Sequence, residues 1–460
     1  MPSLTSRATT TASVILLLAV VLAAFPSMLG FSPEIGLAAS LTVFTIGFWA
    51  TGLLPEYVTS LIFLAAAMLL AAAPASVIFS GFASTAFWLV FAGVVLGAAV
   101  NQTGLGARLA EAMVVRLSGS YPRLIAGLVL VGIALAFVLP STMGRVLLLV
   151  PIVLALADRL GFERGRKGRT GMVLATVLAT YLVPATILPA NVPNMVLAGA
   201  ADALLDVQLR YATYFVLHFP VLGALKGVLI VPVILVLFPD RLPGARIERE
   251  PVRLTPAGRR LSFVLLITLA LWATDFWHGI SPAWIGLAAA LICLLPGVGI
   301  LHRDSFARLN TGPIFYVGGM LGLGAYVAAS GLGVLFSTEL LAILPLRPGA
   351  DAANFAALSA TAAGVGLIAT MPGVGAVLTP VAPELAASAG WPLVDVLMAY
   401  VVGFSTAVLP YQVPPMMVAL TLTGVSLAAA TRSLMVMAVL TVVLLWPLDF
   451  LWWRLLGLPG

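Results

Sequence analysis

Leu139–Pro151 reads L-P-S-T-M-G-R-V-L-L-L-V-P. Two prolines, a glycine, two hydroxyls and an arginine interrupt an apolar run that continues on both sides. Backbone groups facing lipid have no water to bond, so a helix broken at membrane depth must be enclosed by protein or line a cavity. A second stretch, Ala369–Pro380 (A-T-M-P-G-V-G-A-V-L-T-P), breaks another apolar run in the same style. Each is followed by a further interruption, Leu188–Val196 (L-P-A-N-V-P-N-M-V) and Leu409–Met417 (L-P-Y-Q-V-P-P-M-M). Paired breaks in matching places of two halves point to a solute site near the bilayer midplane.

Composition agrees with a membrane solvent. Hydrophobic residues make up 62% of the 460-residue chain and charged residues 9%, against soluble averages of about 45–50% and about 25%. Many apolar runs approach the roughly 20 residues that cross a hydrocarbon core. The expected fold is therefore all-α and polytopic, with about 11 spans. A single cysteine, Cys293, lies in an apolar run and excludes a disulfide framework. The first apolar segment, 12–30, is too long for a signal peptide's apolar core and is read as a span. The net charge of +6 orients the chain in a membrane and does not call for nucleic acid.

Spans are expected at 12–30, 36–54, 57–73 and 83–102, followed by an interfacial amphipathic helix at Gly104–Ser118 carrying Arg108, Glu111 and Arg116. A re-entrant hairpin occupies 123–160, hinged at Pro140–Gly144. A broken helix at 171–204 and a return span at 211–238 come next. The polar stretch 239–260, with six arginines and three acids, links the halves. The second half repeats the plan: spans at 261–279, 281–296 and 311–329, a second interfacial helix at 330–344, a hairpin at 352–388, a broken helix at 393–427 and a last span at 433–456. Spacing supports the repeat. Ser141 precedes Pro151 by ten residues and Thr370 precedes Pro380 by ten, and Gly161 and Gly390 each follow their proline by ten more.

Basic residues cluster on one side of this threading when the N-terminus is cytoplasmic: Arg7, Arg108, Arg116, Arg123, the 159–169 loop, the 241–260 linker, Arg303, Arg308 and Arg432. Only Arg210, Arg347 and Arg454 fall outside. The first hairpin then enters from the cytoplasm and the second from outside, which makes the repeats inverted.

The breaks also carry the chemistry an anion needs. Helix N-termini offer free amides and a positive dipole end. Gly144, Gly373 and Gly375 allow close backbone approach. Ser141, Thr142, Thr370, Asn191, Asn194 and Gln412 add side-chain hydrogen bonds, with Asn191 and Gln412 each two residues before a proline. Arg145, four residues into the first tip, has two readings. It is a fixed cation for the anion, in which case Arg145→Ala loses transport and keeps the fold, or it caps carbonyls freed by the break.

Several pieces resemble the divalent anion/sodium symporter family, the sodium-dependent di- and tricarboxylate and sulfate carriers of the ion transporter superfamily. They are T-G-L-G-A-R-L-A at 103–110, S-T-M-G-R-V-L-L-L-V-P at 141–151, N-V-P-N-M-V at 191–196, F-Y-V-G-G-M-L-G-L-G at 315–324 and L-P-Y-Q-V-P-P at 409–415. The resemblance implies a homodimer in the inner membrane, each subunit having a scaffold and a mobile transport region that moves like an elevator. It places scaffold in 1–118, 206–350 and 429–460, and transport repeats in 119–205 and 351–428. Sodium would bind at the tips, through Ser141, Thr142 and Thr370, beside a small anionic substrate. The family carries an asparagine at each tip; Thr142 and Met371 stand there in this chain. A thioether is a poor ligand for a hard cation, so sodium symport, sodium-independent exchange and proton coupling all remain open.

Other classes fare worse. An intramembrane enzyme needs a nucleophile–base pair or metal ligands, and the three histidines fall outside any H-E-x-x-H or G-x-S-x-G motif. A channel is the remaining alternative.

Overall fold

The computed structural model describes residues 6–108, 119–242 and 254–459. Every regular element among them is helical. The first half runs through α1 (Ser6–Ala24), α2 (Pro33–Thr51), α3 (Glu56–Leu69) and α4 (Thr85–Thr103), then α5 (Tyr121–Val138), α6 (Thr142–Arg159), α7 (Lys167–Leu182) and α8 (Val192–Leu205). A span follows in two parts, α9 (Tyr211–His218) and α10 (Lys226–Leu237), joined by a π-helical turn at Phe219–Leu225. The second half comprises α11 (Pro256–Ala273), α12 (Pro282–Leu294), α13 (Gly312–Ala329), α14 (Leu332–Ile343), α15 (Asp351–Leu378), α16 (Ala382–Ala389), α17 (Leu393–Phe404) and α18 (Pro414–Thr423). The last span is α19 (Leu427–Leu440) and α20 (Trp446–Leu455), joined by a second π-helical turn at Thr441–Leu445.

Among the described residues, eight helices are long and apolar enough to cross a membrane, and shorter apolar helices such as α3, α8, α12, α17 and α18 accompany them. The chain is a multi-pass membrane protein. Serine, threonine or asparagine caps many helix starts: Ser32, Ser84, Ser120, Ser141, Asn191, Thr255 and Ser426 each accept from an amide of the first turn. Gly161 and Gly390, singled out by their spacing, are both left-handed (φ 76° and 68°) and follow α6 and α16, where only a residue without Cβ is unstrained.

Both hairpins and both broken helices lie within a few residues of their expected bounds. The first hairpin is α5 and α6, broken at Leu139–Ser141. The second bends inside α15, at Thr370 (φ 61°, ψ 168°). The broken helices are α7 with α8, and α17 with α18. Some boundaries move. The last span starts at Leu427, six residues before the expected 433, because Ser426 caps it. α11 starts at Pro256, inside the stretch expected to be linker, because Thr255 supplies a cap. The interfacial helix at 104–118 lies largely outside the described residues; after a left-handed Gly104, residues 105–108 are helical. Of the linker, 243–253 lie outside them.

The two halves pack crosswise. α7 lies against α5 and α6, and α17 against α15, so each broken helix begins on its own hairpin. Their second pieces cross over: α8 packs on α15 and α18 packs on α6. Gly375 makes the first crossing possible, since a Cβ there would sit 2.8 Å from the Leu197 amide nitrogen and 2.9 Å from its Cα. Small residues of this kind let membrane helices approach closely. Gly375→Ala should therefore lower the thermal unfolding temperature in detergent, with overpacking costing about 1–3 kcal/mol. Gly364→Ala on the same helix, where a Cβ meets nothing within 4 Å, should be neutral or slightly stabilising.

Candidate substrate site

Breaking a helix inside a membrane leaves carbonyls and amides without intrahelical partners, and each must find another. At the first break the partner is Arg145, which is fully buried. Its Nη1 donates to the carbonyls of Leu139 (2.5 Å) and Ala190 (3.0 Å). Its Nη2 donates to the Thr180 carbonyl and the Thr142 hydroxyl, both at 3.0 Å. One planar guanidinium thus ties the hairpin tip to both ends of the broken stretch between α7 and α8. Asn194 Nδ2 donates to the carbonyls of Pro184 (3.0 Å) and Ile187 (2.8 Å). Tyr214, on α9, donates to the Ala185 carbonyl at 2.7 Å.

The second break is closed differently. Lys226, also fully buried, donates to the Ser405 carbonyl (2.9 Å) and hydroxyl (3.1 Å) just past the end of α17, where a cation also meets the negative end of the helix dipole. Gln412 Oε1 accepts from the amides of Val408 (2.8 Å) and Leu409 (2.7 Å). Asn191 does the corresponding task at the first break, its Oδ1 accepting from Asn194 N at 3.3 Å. Both amides turn their oxygen to the backbone, so both leave a buried NH2 without a partner. Such a donor costs about 1–3 kcal/mol unless a solute or water meets it.

A cavity of about 540 Å³ joins the four broken segments. Pro140, Ser141, Thr142 and Met143 of the first tip line it, with Val192, Pro193 and Met195 of the first break, Pro372 of the second tip, and Pro414 and Pro415 of the second break. The remaining wall comes from helices outside the breaks: Glu56 and Tyr57 at the start of α3, Val90 and Gly93 on α4, Asn310, and Tyr316 on α13. Tyr181, 3% exposed, also faces it with a hydroxyl that has no partner. Tyr316 lies within electrostatic reach of Glu56, Tyr181 and the Thr370 side chain.

Of the residues expected at the site, Ser141 and Thr142 line this cavity. Arg145, Asn191, Asn194 and Gln412 stand directly behind it, bonded to the breaks. Thr370 reaches it through Tyr316. Gly144 receives the Ser141 cap at 3.1 Å. Gly375 packs on Leu197, and Gly373 faces a separate apolar crevice of about 310 Å³ between α2, α13 and α15. Met371 is buried with its thioether against Gly366, within the second hairpin. The expected sodium ligands differ in freedom. The Ser141 hydroxyl caps Gly144 and the Thr142 hydroxyl accepts from Arg145. Sequence reasoning did not place Glu56, Tyr181, Asn310 or Tyr316 here; none sits in a break, and only Tyr316 falls in a singled-out motif, 315–324, which was read for its resemblance and not for a site.

Arg145 therefore commits its two terminal nitrogens to three backbone carbonyls and one hydroxyl, while its buried Nε has no partner. Arg145→Ala should strand the buried Thr180 and Ala190 carbonyls, at about 1–3 kcal/mol each, leave the Leu139 carbonyl with only the Ser141 amide, and show as a large loss of thermal stability and of monodisperse protein in detergent. Thr370 adopts a backbone conformation that side chains disfavour, at roughly 1–3 kcal/mol. Thr370→Gly should raise the unfolding temperature, measured in the same assay.

Comparison with known proteins follows this geometry. The model of the sodium:sulfate symporter transmembrane region matches residues 6–458. A Cupriavidus necator protein, described as a membrane protein, is 27% identical over 263 residues, which are 55% of this chain and 51% of that protein. That match thus spans about half of the relative's length. The fold is similar to that of the Alcanivorax borkumensis YdaH transporter, whose structure is described as having an unusual topology, with a TM-score of 0.55 and 18% identity over 84% of this chain and 88% of that one. It is also similar to Neisseria gonorrhoeae MtrF, described with a class of antimetabolite efflux pumps, with a TM-score of 0.53 and 16% identity over 82% of each chain. At these identities the likeness to both structures concerns the fold. The family match covers nearly the whole chain, and its members are membrane transporters, not enzymes; this chain belongs to the sodium:sulfate symporter family.

Proposed function

We propose that the chain is a secondary carrier of a small anion, which binds where the two hairpins and two broken helices meet and crosses by an elevator-like movement. One observation carries this reading: four backbone breaks, far apart in sequence, line a single cavity. The first tip supplies the anion's partners. The amides of Thr142 and Met143 precede the first intrahelical bond of α6, which runs from Arg145 N to the Ser141 carbonyl, so they have no intrahelical acceptor. Arg145 adds a positive charge behind them without being neutralised by any ion pair among the described residues.

The moving body comprises both hairpins and broken helices, 119–205 and 351–428. Hydrogen bonds from Tyr214, Lys226 and Trp446 to the breaks argue that spans 211–237 and 427–455, expected in the scaffold, travel with it. The scaffold is then α1 to α4 with α11 to α14, and two copies of it meet in a homodimer. Inverted repeats, an inner-membrane location and a cytoplasmic N-terminus complete this reading, on the distribution of basic residues.

Coupling has two readings. Sodium symport follows from the family and would use Ser141, Thr142 and Thr370. Exchange or proton coupling without sodium is favoured by the guanidinium 3.0 Å from the Thr142 hydroxyl, which opposes a second cation there, and by Met371 at the other tip. Uptake of labelled sulfate, succinate, citrate and taurine into proteoliposomes, with and without a sodium gradient, separates them. A carrier gives saturable, trans-accelerated counterflow; linear flux without trans-acceleration identifies a channel. Tyr181→Phe removes a hydroxyl that no protein group uses, so stability should hold while the half-saturation concentration rises about tenfold, the worth of a hydrogen bond to a charged group.

A further inference from the structure

The wall of the cavity is electrostatically lopsided. Its single charged side chain among the lining residues is Glu56, and no basic side chain lines it. No ion pair among the described residues closes on that carboxylate. The free helix-start amides that would meet an anion belong to the first half: those of Thr142 and Met143, with Arg145 behind them. From its own tip and break the second half contributes Pro372, Pro414 and Pro415, none of which has an N–H to donate, and from outside the breaks it contributes Asn310, Gly312, Pro313 and Tyr316. Tyr316 stands near Glu56, and the Thr370 side chain meets Tyr316. Between the poles the wall is valine, methionine, proline and tyrosine, and the space, about 540 Å³, is of the size that holds a whole organic molecule. The buried Tyr181 hydroxyl on this wall has no protein partner, so a solute or water can meet it.

We propose that the transported solute is amphoteric: an organic acid with an ammonium group, its anionic end at the first hairpin tip, its ammonium at Glu56, and an apolar body between them. This rests on the carrier reading above and narrows it. A dianion would bring further negative charge to a site that already holds an uncompensated carboxylate, whereas an ammonium neutralises that carboxylate as the solute enters. An inorganic oxyanion would engage the tip and leave Glu56 and the apolar wall without contacts.

Matched probes that differ only in the ammonium test this. The purified full chain in proteoliposomes is given phenylalanine against 3-phenylpropionate, and taurine against ethanesulfonate, with sulfate and succinate alongside. The amino member of each pair should be preferred by about tenfold or more. E56Q should bring that preference down to near unity while thermal unfolding is unchanged, and E56D should retain part of it. Equal or better transport of the desamino members, of sulfate or of succinate overturns the amphoteric assignment and leaves the carrier reading standing. So does an E56Q variant with the preference intact. An E56Q variant that instead loses sodium dependence with the desamino probes also overturns it, since Glu56 would then hold the cotransported ion. Uptake of none of the six probes overturns the carrier reading as well.

Discussion

The structure depends on satisfying backbone polar groups at depths where water is absent. An unbroken helix does this internally; a broken one exports the problem to side chains. Here two buried cations take most of the load. Arg145 suits the first break because its guanidinium presents several donors in one plane, and the acceptors it meets come from the hairpin tip (Leu139, Thr142), from α7 (Thr180) and from the break before α8 (Ala190). Lys226 suits the second because one carbonyl and one hydroxyl, both of Ser405, need a compact donor. The amide side chains of Asn191 and Gln412 then settle the remaining amides, and their NH2 groups are left over.

From that requirement the cavity follows. A hairpin tip held to the following broken helix cannot collapse onto its own chain. The crosswise packing of α8 on α15 and of α18 on α6 brings the tip of each half to the break of the other. What remains between them is a space roofed by proline, whose rigid φ and missing N–H keep it from being closed by further helix. Tyrosines and Glu56 from α3, α7 and α13 fill in the rim.

Much of this was legible beforehand, for a physical reason. Proline, glycine and hydroxyl residues inside apolar runs have few uses other than a break, so the hairpins and broken helices could be placed to within a few residues. The paired glycines at 161 and 390 were read from spacing and prove to be left-handed. The capping reading of Arg145 describes its geometry, since a guanidinium in a break meets carbonyls before it meets solute. The far wall was hidden. Glu56 had the pattern of an ordinary residue at a helix start, and its place in the cavity depends on how α3 and α13 pack against one another, which no local sequence signal encodes. Met371 was read as a poor cation ligand from its thioether, and its use in packing against Gly366 is what the fold adds.

The breaks also mark which helices would travel together in the proposed elevator-like movement. Helices 211–237 and 427–455 are bonded to the broken stretches by Tyr214, Lys226 and Trp446 inside the membrane, and parting them would strand a buried ammonium at a cost of several kcal/mol. The contacts between the bonded body and α4 or α13 are of another kind. Gly93 lies against the Pro140 carbonyl, Gly199 against the Ala86 methyl, and Gly324 against the Ala376 carbonyl. Close contacts between smooth backbone surfaces lose little when displaced by a few ångströms, because they contain no directional bonds. Thr85 to Asp202, at 2.8 Å, is a side-chain bond that does cross this border. Asp275, between α11 and α12, also accepts from the amides of Tyr211 and Ala212 across it, so the border of glycine faces is tied at its ends by a few polar bonds, whereas the buried cations hold the bonded body together within.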